Sequence, residues 1–159
     1  MPRKNPTAEA VLLCIGPENG VIVLAPDEEE AETLFLGKVD SLESAQACLE
    51  LAREAADELE IPMLIVAETG PCWDWWRTKI VARGNFPALP VDSTWRRQTF
   101  GPRYPRSRER AKQKAQAYLI HALELQPHNP DIAETVCLGT WSTKAASVRS
   151  LIKKLKEAA

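Results

Sequence analysis

The chain has 159 residues and a net charge of −2, with 20 Lys and Arg set against 22 Asp and Glu. That length suits one domain with a real core, and the near balance removes any global field that would point to a partner. Cys14, Cys48, Cys72 and Cys137 lie far apart in no zinc-binding spacing, so the expectation is a cytoplasmic protein with free, mostly buried thiols, no signal peptide and no membrane segment.

Residues 1–9 are polar with two prolines, and are expected to form a disordered tail ahead of a single domain over 10–159. Ala10 to Ile15 is an unbroken apolar run that suits a central strand. Gly16 to Gly20 is turn chemistry, and Val21 to Ala25 returns as a second strand. An acidic loop over Asp27–Glu32 follows. Thr33 to Val39 completes an antiparallel meander of three strands.

Asp40 and Glu43 have capping-box spacing. Leu42, Ala45, Cys48, Leu49, Ala52, Ala56 and Leu59 then recur at helical spacing. Met63 to Ala67 reads as a buried parallel strand that ends at Glu68. Three of the five tryptophans follow, at 73, 75 and 76. A helix is expected from Trp75 to Arg83, stopping at Gly84 as the C′ residue. Ala88 to Val91 is a fifth short strand. These elements imply one mixed five-stranded sheet, antiparallel over its first three strands and parallel over the last two, with helices on both faces.

The segment after Val91 is strongly basic. Arg96, Arg97, Arg103, Arg106, Arg108, Arg110, Lys112 and Lys114 are interrupted by a single acid, Glu109. Such asymmetry in a near-neutral chain points to a side that faces a polyanion. Phe100 and Tyr104 are interleaved with the arginines, a mixture that suits contact with nucleic acid. A helix is expected from about Ser107 to Leu123. Asn129 and Pro130 are favoured cap and first-turn residues, so Asp131 and Glu134 fall in the first turn of the next helix and share a face. Two adjacent carboxylates either answer the helix dipole or hold a divalent cation between them. A last amphipathic helix carries Val148, Leu151, Ile152 and Leu155 inward.

If the helix opening at Pro130 packs across the sheet, Glu68 meets Asp131 and Glu134 at one rim. Three carboxylates there would suit Mg²⁺ or Mn²⁺, which prefer oxygen ligands, and two such ions hydrolyse phosphodiesters. Alternatively, Glu68 simply marks the exit of its strand to solvent. Trp73, Trp75 and Trp76 either stack on unpaired bases or pack a rim or dimer contact.

These motifs stand in an order similar to that of the RuvC-type Holliday junction resolvases, of the ribonuclease H-like superfamily. Ile15-Gly16-Pro17-Glu18-Asn19-Gly20 matches a first strand that in the family ends Ile-Asp-Pro-Gly, with a glycine a few residues on. Leu64-Ile65-Val66-Ala67-Glu68 matches the strand that ends in a catalytic Glu, and Ala82-Arg83-Gly84 the helix end that follows. Pro90, Arg96-Arg97, Gly101 and the helix of Arg108–Lys114 stand in the places of a proline, a basic pair, a glycine and a lysine-bearing helix. Asp131-Ile132-Ala133-Glu134 matches the closing Asp-x-x-Asp, with Glu in the second place. The tryptophans after Glu68 look like the chloroplast and phage-like branch. The resemblance covers about Ala10 to Thr143.

It implies a metal-dependent endonuclease that resolves four-way junctions as a homodimer in recombination and repair. Glu68, Asp131 and Glu134 would be catalytic metal ligands for Mg²⁺ or Mn²⁺. Arg96, Arg97, Phe100, Arg103, Tyr104, Arg106, Arg108, Lys112 and Lys114 would contact branched DNA. One departure bears on chemistry: the first catalytic Asp of the family falls on Gly16, which has no side chain to offer, and Glu18 is a weak substitute one step further out. The alternative implied is a catalytically silent junction or nucleic-acid binder of the same fold.

Overall fold

Five apolar residues in a row, Val11–Ile15, form β1, and all are buried. A strand without polar positions must be covered on both faces, and β1 lies at the centre of a five-stranded sheet of order β3-β2-β1-β4-β5. The computed structural model describes residues 9–26, 31–101, 108–121 and 130–158, and for residues 26, 31, 108, 111, 118–121, 130 and 131 the backbone only. Strand β2 (Gly20–Pro26) pairs antiparallel with β1 and with β3 (Ala31–Lys38). Strand β4 (Met63–Glu68) runs parallel to β1, and β5 (Ala88–Val91) parallel to β4. This is the mixed arrangement expected, an antiparallel meander extended by two parallel strands.

The period of two along the central strands sorts side chains onto two cores. Val11, Leu13, Ile15, Met63, Ile65 and Ala67 face α1 (Leu42–Leu59) and α2 (Pro71–Trp76). Leu12, Cys14, Leu64 and Val66 face α4 (Thr94–Phe100), α5 (Arg108–His121), α6 (Pro130–Lys144) and α7 (Ala146–Ala158). Helices therefore cover both faces. The register pairs Ile15 with Ala67, so the next residues, Gly16 and Glu68, lie side by side and point toward the α6 face. Among the described residues no helix is long and apolar enough to cross a membrane.

Several boundaries differ from the sequence reading, each for a local reason. The cap of α1 is Ser41, not Asp40: Ser41 Oγ accepts from the Ser44 backbone N–H at 3.1 Å, and Ser44 Oγ accepts in return from that of Ser41 at 3.1 Å. The helix expected from Trp75 begins earlier, because Pro71 occupies its first position after Gly70. It continues through a π-helical stretch, Arg77–Val81, into α3 (Ala82–Gly84), and the left-handed residue that ends it is Asn85, at φ 53°, rather than Gly84. The basic segment opens with a helix, α4, that the sequence reading left without structure. Its start is fixed by Asp92, whose carboxylate accepts from the Thr94 N–H at 2.9 Å and from the Thr94 hydroxyl at 2.5 Å.

Candidate functional site: two buried carboxylates closed by an arginine

Glu68 ends a strand whose preceding five residues are all buried. Glu134 lies in the opening turns of α6, after Pro130. The two elements meet at the expected rim of the sheet, where both carboxylates are buried, with Glu68 7% and Glu134 1% exposed. Two anions in such a place demand a cation, and α4 supplies one. Arg96, 4% exposed, donates from Nε to Glu68 Oε1 at 2.8 Å and from Nη2 to Glu68 Oε2 at 3.0 Å. Its remaining nitrogen, Nη1, stands 2.5 Å from Glu134 Oε2. The fork-on-fork pair with Glu68 is the strongest geometry an arginine offers a carboxylate.

Trp95, the neighbour of Arg96, completes the enclosure. Its indole N–H donates to Glu68 Oε1 at 2.6 Å, and the Arg96 guanidinium lies 4.9 Å from its ring centre. Burial alone would lower the Arg96 pKa, but the hydrogen bonds and charge of Glu68, followed by those of Glu134, outweigh it and raise the value. The arginine is held as a cation. The Cys137 thiol nearby is pushed up to about 12, by burial first and by the Glu134 charge second.

The rest of the expected metal site does not fit an ion. Gly16 stands beside Glu68, but a Cβ built on it would overlap Thr135 Oγ1 on α6, so a larger side chain enters only if Thr135 gives way. Thr135 is fully buried, and its hydroxyl oxygen has no hydrogen-bond partner among the described residues. Glu18, the substitute ligand, instead makes an ion pair with Lys112 at 2.8 Å, which ties the β1–β2 turn to α5. Asp131 belongs to α6, and its side chain lies outside the described residues. Among the described residues no cluster of three His, Cys, Asp or Glu is placed to hold a metal.

The expected DNA contacts divide. Arg96 is a correction: it is buried as an internal counterion and offers no donor to a phosphate, because the first turn of α4 aims positions 95 and 96 inward. Arg97, one position on, is exposed. Phe100 is partly buried, its ring 6.0 Å from that of Trp95, and packs the α6 side of the sheet. Lys112 is committed to Glu18, and Lys114 is half-buried on α5. Arg103, Tyr104 and Arg106 lie outside the described residues, as does the side chain of Arg108. Trp73 and Trp76 are buried in the opposite core and pack rather than stack on bases, while Trp75 stands edge-on to Trp76 at 6.0 Å.

Sequence reasoning missed Trp95, Thr135 and Trp141. Trp95 was legible in principle, as the aromatic directly after the Asp92-Ser93-Thr94 start signal. Trp141 donates from its indole N–H to Gln98 Oε1 at 2.7 Å, and with Thr99, Thr140 and Lys144 these two line a cavity of about 360 Å³ between α4 and the α6–α7 junction. Nothing in the sequence marked Thr135, whose role depends on a neighbour more than a hundred residues away.

No family model and no curated protein matches the chain. Among solved structures it is similar to "T. thermophilus RuvC in complex with Holliday junction substrate", at 12% identity and TM-score 0.48, over 83% of this chain and 92% of that one. A second, "Thermus thermophilus RuvC structure", is similar at 16% identity and TM-score 0.49 over the same shares. Similarity of this degree is one of backbone course, and the chemistry of the rim rests on its own distances.

Proposed function

We propose that this protein binds nucleic acid, with four-way or other branched DNA as its preferred form, and that it does so without metal-dependent cleavage. The observation that carries this reading is the Arg96 guanidinium seated between Glu68 and Glu134. A resolving endonuclease needs Mg²⁺ or Mn²⁺ between those carboxylates to activate water and stabilise the leaving oxygen. Here one tethered cation already occupies the space between the carboxylates and pairs with each, and the strand position beside Glu68 is a glycine pressed against Thr135. Proton abstraction from a water by Glu68 or Glu134 is equally disfavoured, since both carboxylates are buried and engaged by Arg96.

Support for nucleic acid as the ligand comes from the basic segment and from the surface beside it. Arg97 is exposed on α4. The cavity next to it presents the Trp141 ring, the Gln98 amide and the Lys144 ammonium, a set that fits a base with its phosphate. Phosphate contacts would set affinity, and the shape of the branch would set preference. The expected homodimer would have a two-fold axis that matches that of a junction.

The test is one titration series and one cleavage assay. Fluorescence anisotropy with a synthetic four-way junction, a linear duplex, a single strand and an RNA–DNA hybrid should show tightest binding to the junction. Binding should weaken with salt, and Arg97→Ala should reduce the salt slope by about one phosphate contact. Incubation with junction and Mg²⁺ or Mn²⁺ should yield no nicks. Equal, weak binding to all four substrates would overturn the ligand. Metal-dependent nicks abolished by Glu68→Gln would restore the endonuclease reading.

A further inference from the structure

We propose that Arg96 is a built-in cation that closes a latent divalent-metal site formed by Glu68 and Glu134. The inference rests on the reading above, that the centre does not use a metal, and adds what the carboxylates would do once the arginine is removed. Its physical basis is the balance of charge in a dry place. Glu68 and Glu134 are buried and converge from different elements on one small volume. Buried carboxylates that share a volume are tolerated when a cation joins them, and are costly without one.

The donor set is made of hard oxygens. Four carboxylate oxygens are joined by Thr135 Oγ1, a fully buried hydroxyl oxygen without a hydrogen-bond partner among the described residues, which lies over Gly16 at the same rim. Oxygen sets of this kind suit Mg²⁺, Mn²⁺ or Ca²⁺. A guanidinium offsets one of the two negative charges, and it is planar and directional. It uses three nitrogens on Glu68 and Glu134 and leaves the Thr135 hydroxyl oxygen without a bond. A spherical ion with bound waters has no such limit.

The arginine also does what an ion could not. It is part of α4, so the two ion pairs bolt that helix to β4 on one side and α6 on the other. Glu68 and Glu134 thereby become positioning residues for the exposed face of α4, with Arg97 and Gln98 beside the Trp141 cavity. The site exchanges a dissociable cation for a tethered one, and the bound surface no longer depends on metal supply.

The experiment compares the full chain with Arg96→Ala, and Arg96→Ala combined with Glu68→Gln or with Glu134→Gln, in chelated buffer and with added Mn²⁺. Free Mn²⁺ is read by electron paramagnetic resonance, and stability by thermal melting. The unsubstituted protein should bind no Mn²⁺ at this centre, and its melting temperature should not respond to Mn²⁺ or chelator. Arg96→Ala should melt lower, gain one Mn²⁺ site that the parent lacks once the competing charge is gone, and recover part of the lost melting temperature when Mn²⁺ is added. Both double variants should lose that gain. If Arg96→Ala is unfolded in chelator, circular dichroism on addition of Mn²⁺ should show the fold return. Equal Mn²⁺ binding by parent and Arg96→Ala, retention of the gain in both double variants, or no recovery of an unfolded Arg96→Ala would each overturn the proposal. Junction binding and nicking by the parent test the functional reading separately.

Discussion

The two faces of the sheet are built on the same central strands and solve burial in opposite ways. Toward α1 and α2, the inward positions are apolar throughout, from Val11, Leu13 and Ile15 to Trp73 and Trp76. Toward α4 and α6, the apolar series of Leu12, Cys14, Leu64 and Val66 ends in Gly16 and Glu68, and the helix laid across it contributes Glu134. One face gains stability from area removed from water. The other holds a charged triad whose parts are stable together and costly apart. The difference teaches that a buried acid at the end of an apolar strand need not be a catalytic group. What it faces decides.

Deletion on each face should break the comparison most strongly. Trp76 is fully buried, so Trp76→Ala should cost about 3–5 kcal/mol through lost contacts and a cavity. Arg96→Ala should cost a similar amount, about 3–5 kcal/mol, through uncompensated charge rather than volume. Replacing all three charged groups separates the causes. Arg96→Met with Glu68→Gln and Glu134→Gln should recover most of the Arg96→Ala loss, as read by urea unfolding. No volume-neutral replacement should rescue Trp76→Ala.

Gly16 sharpens the boundary between the faces. Gly16→Ala should destabilise by about 1–3 kcal/mol, because the new Cβ meets Thr135, and Thr135→Gly should relieve much of that cost. Gly16→Asp alone is thus expected to loosen α6 rather than to restore cleavage. A Gly16→Ala variant as stable as the parent would show that α6 sits farther from β1 than the packing indicates.

The smallest effect is a pH slope. Burial pushes the Cys14 thiol up to about 12 from 9.0. The folded protein then keeps this proton over a range in which the unfolded chain loses it, so stability contributed by the protonated thiol is intact below pH 9 and falls as pH rises toward 12. The slope per thiol approaches about 1.4 kcal/mol per pH unit. Cys14→Ala should flatten the decline of urea stability above pH 9 by roughly that share. An unchanged slope would show that the Cys14 site admits solvent.

Much of the architecture was legible in the sequence because it depends on short-range pattern. The apolar runs at Val11–Ile15 and Met63–Ala67, the helical spacing from Leu42 to Leu59 and the strand at Ala88–Val91 announce themselves through period and punctuation. So did the convergence of Glu68 with Glu134, since a strand end and a helix start have limited places to go in such a sheet. Helix α4 was not legible, because its basic composition resembled a surface loop and concealed that one arginine points inward. The sequence by itself determined the order of the strands, the helices on both faces and the presence of acids at one rim, all properties of local periodicity. Only the tertiary structure decided that Arg96 lies between those acids and that Thr135 closes over Gly16. The reason is that partners at a buried charge are chosen by three-dimensional approach of distant segments, where a rotation of one helix by a single residue exchanges Arg96 for Arg97.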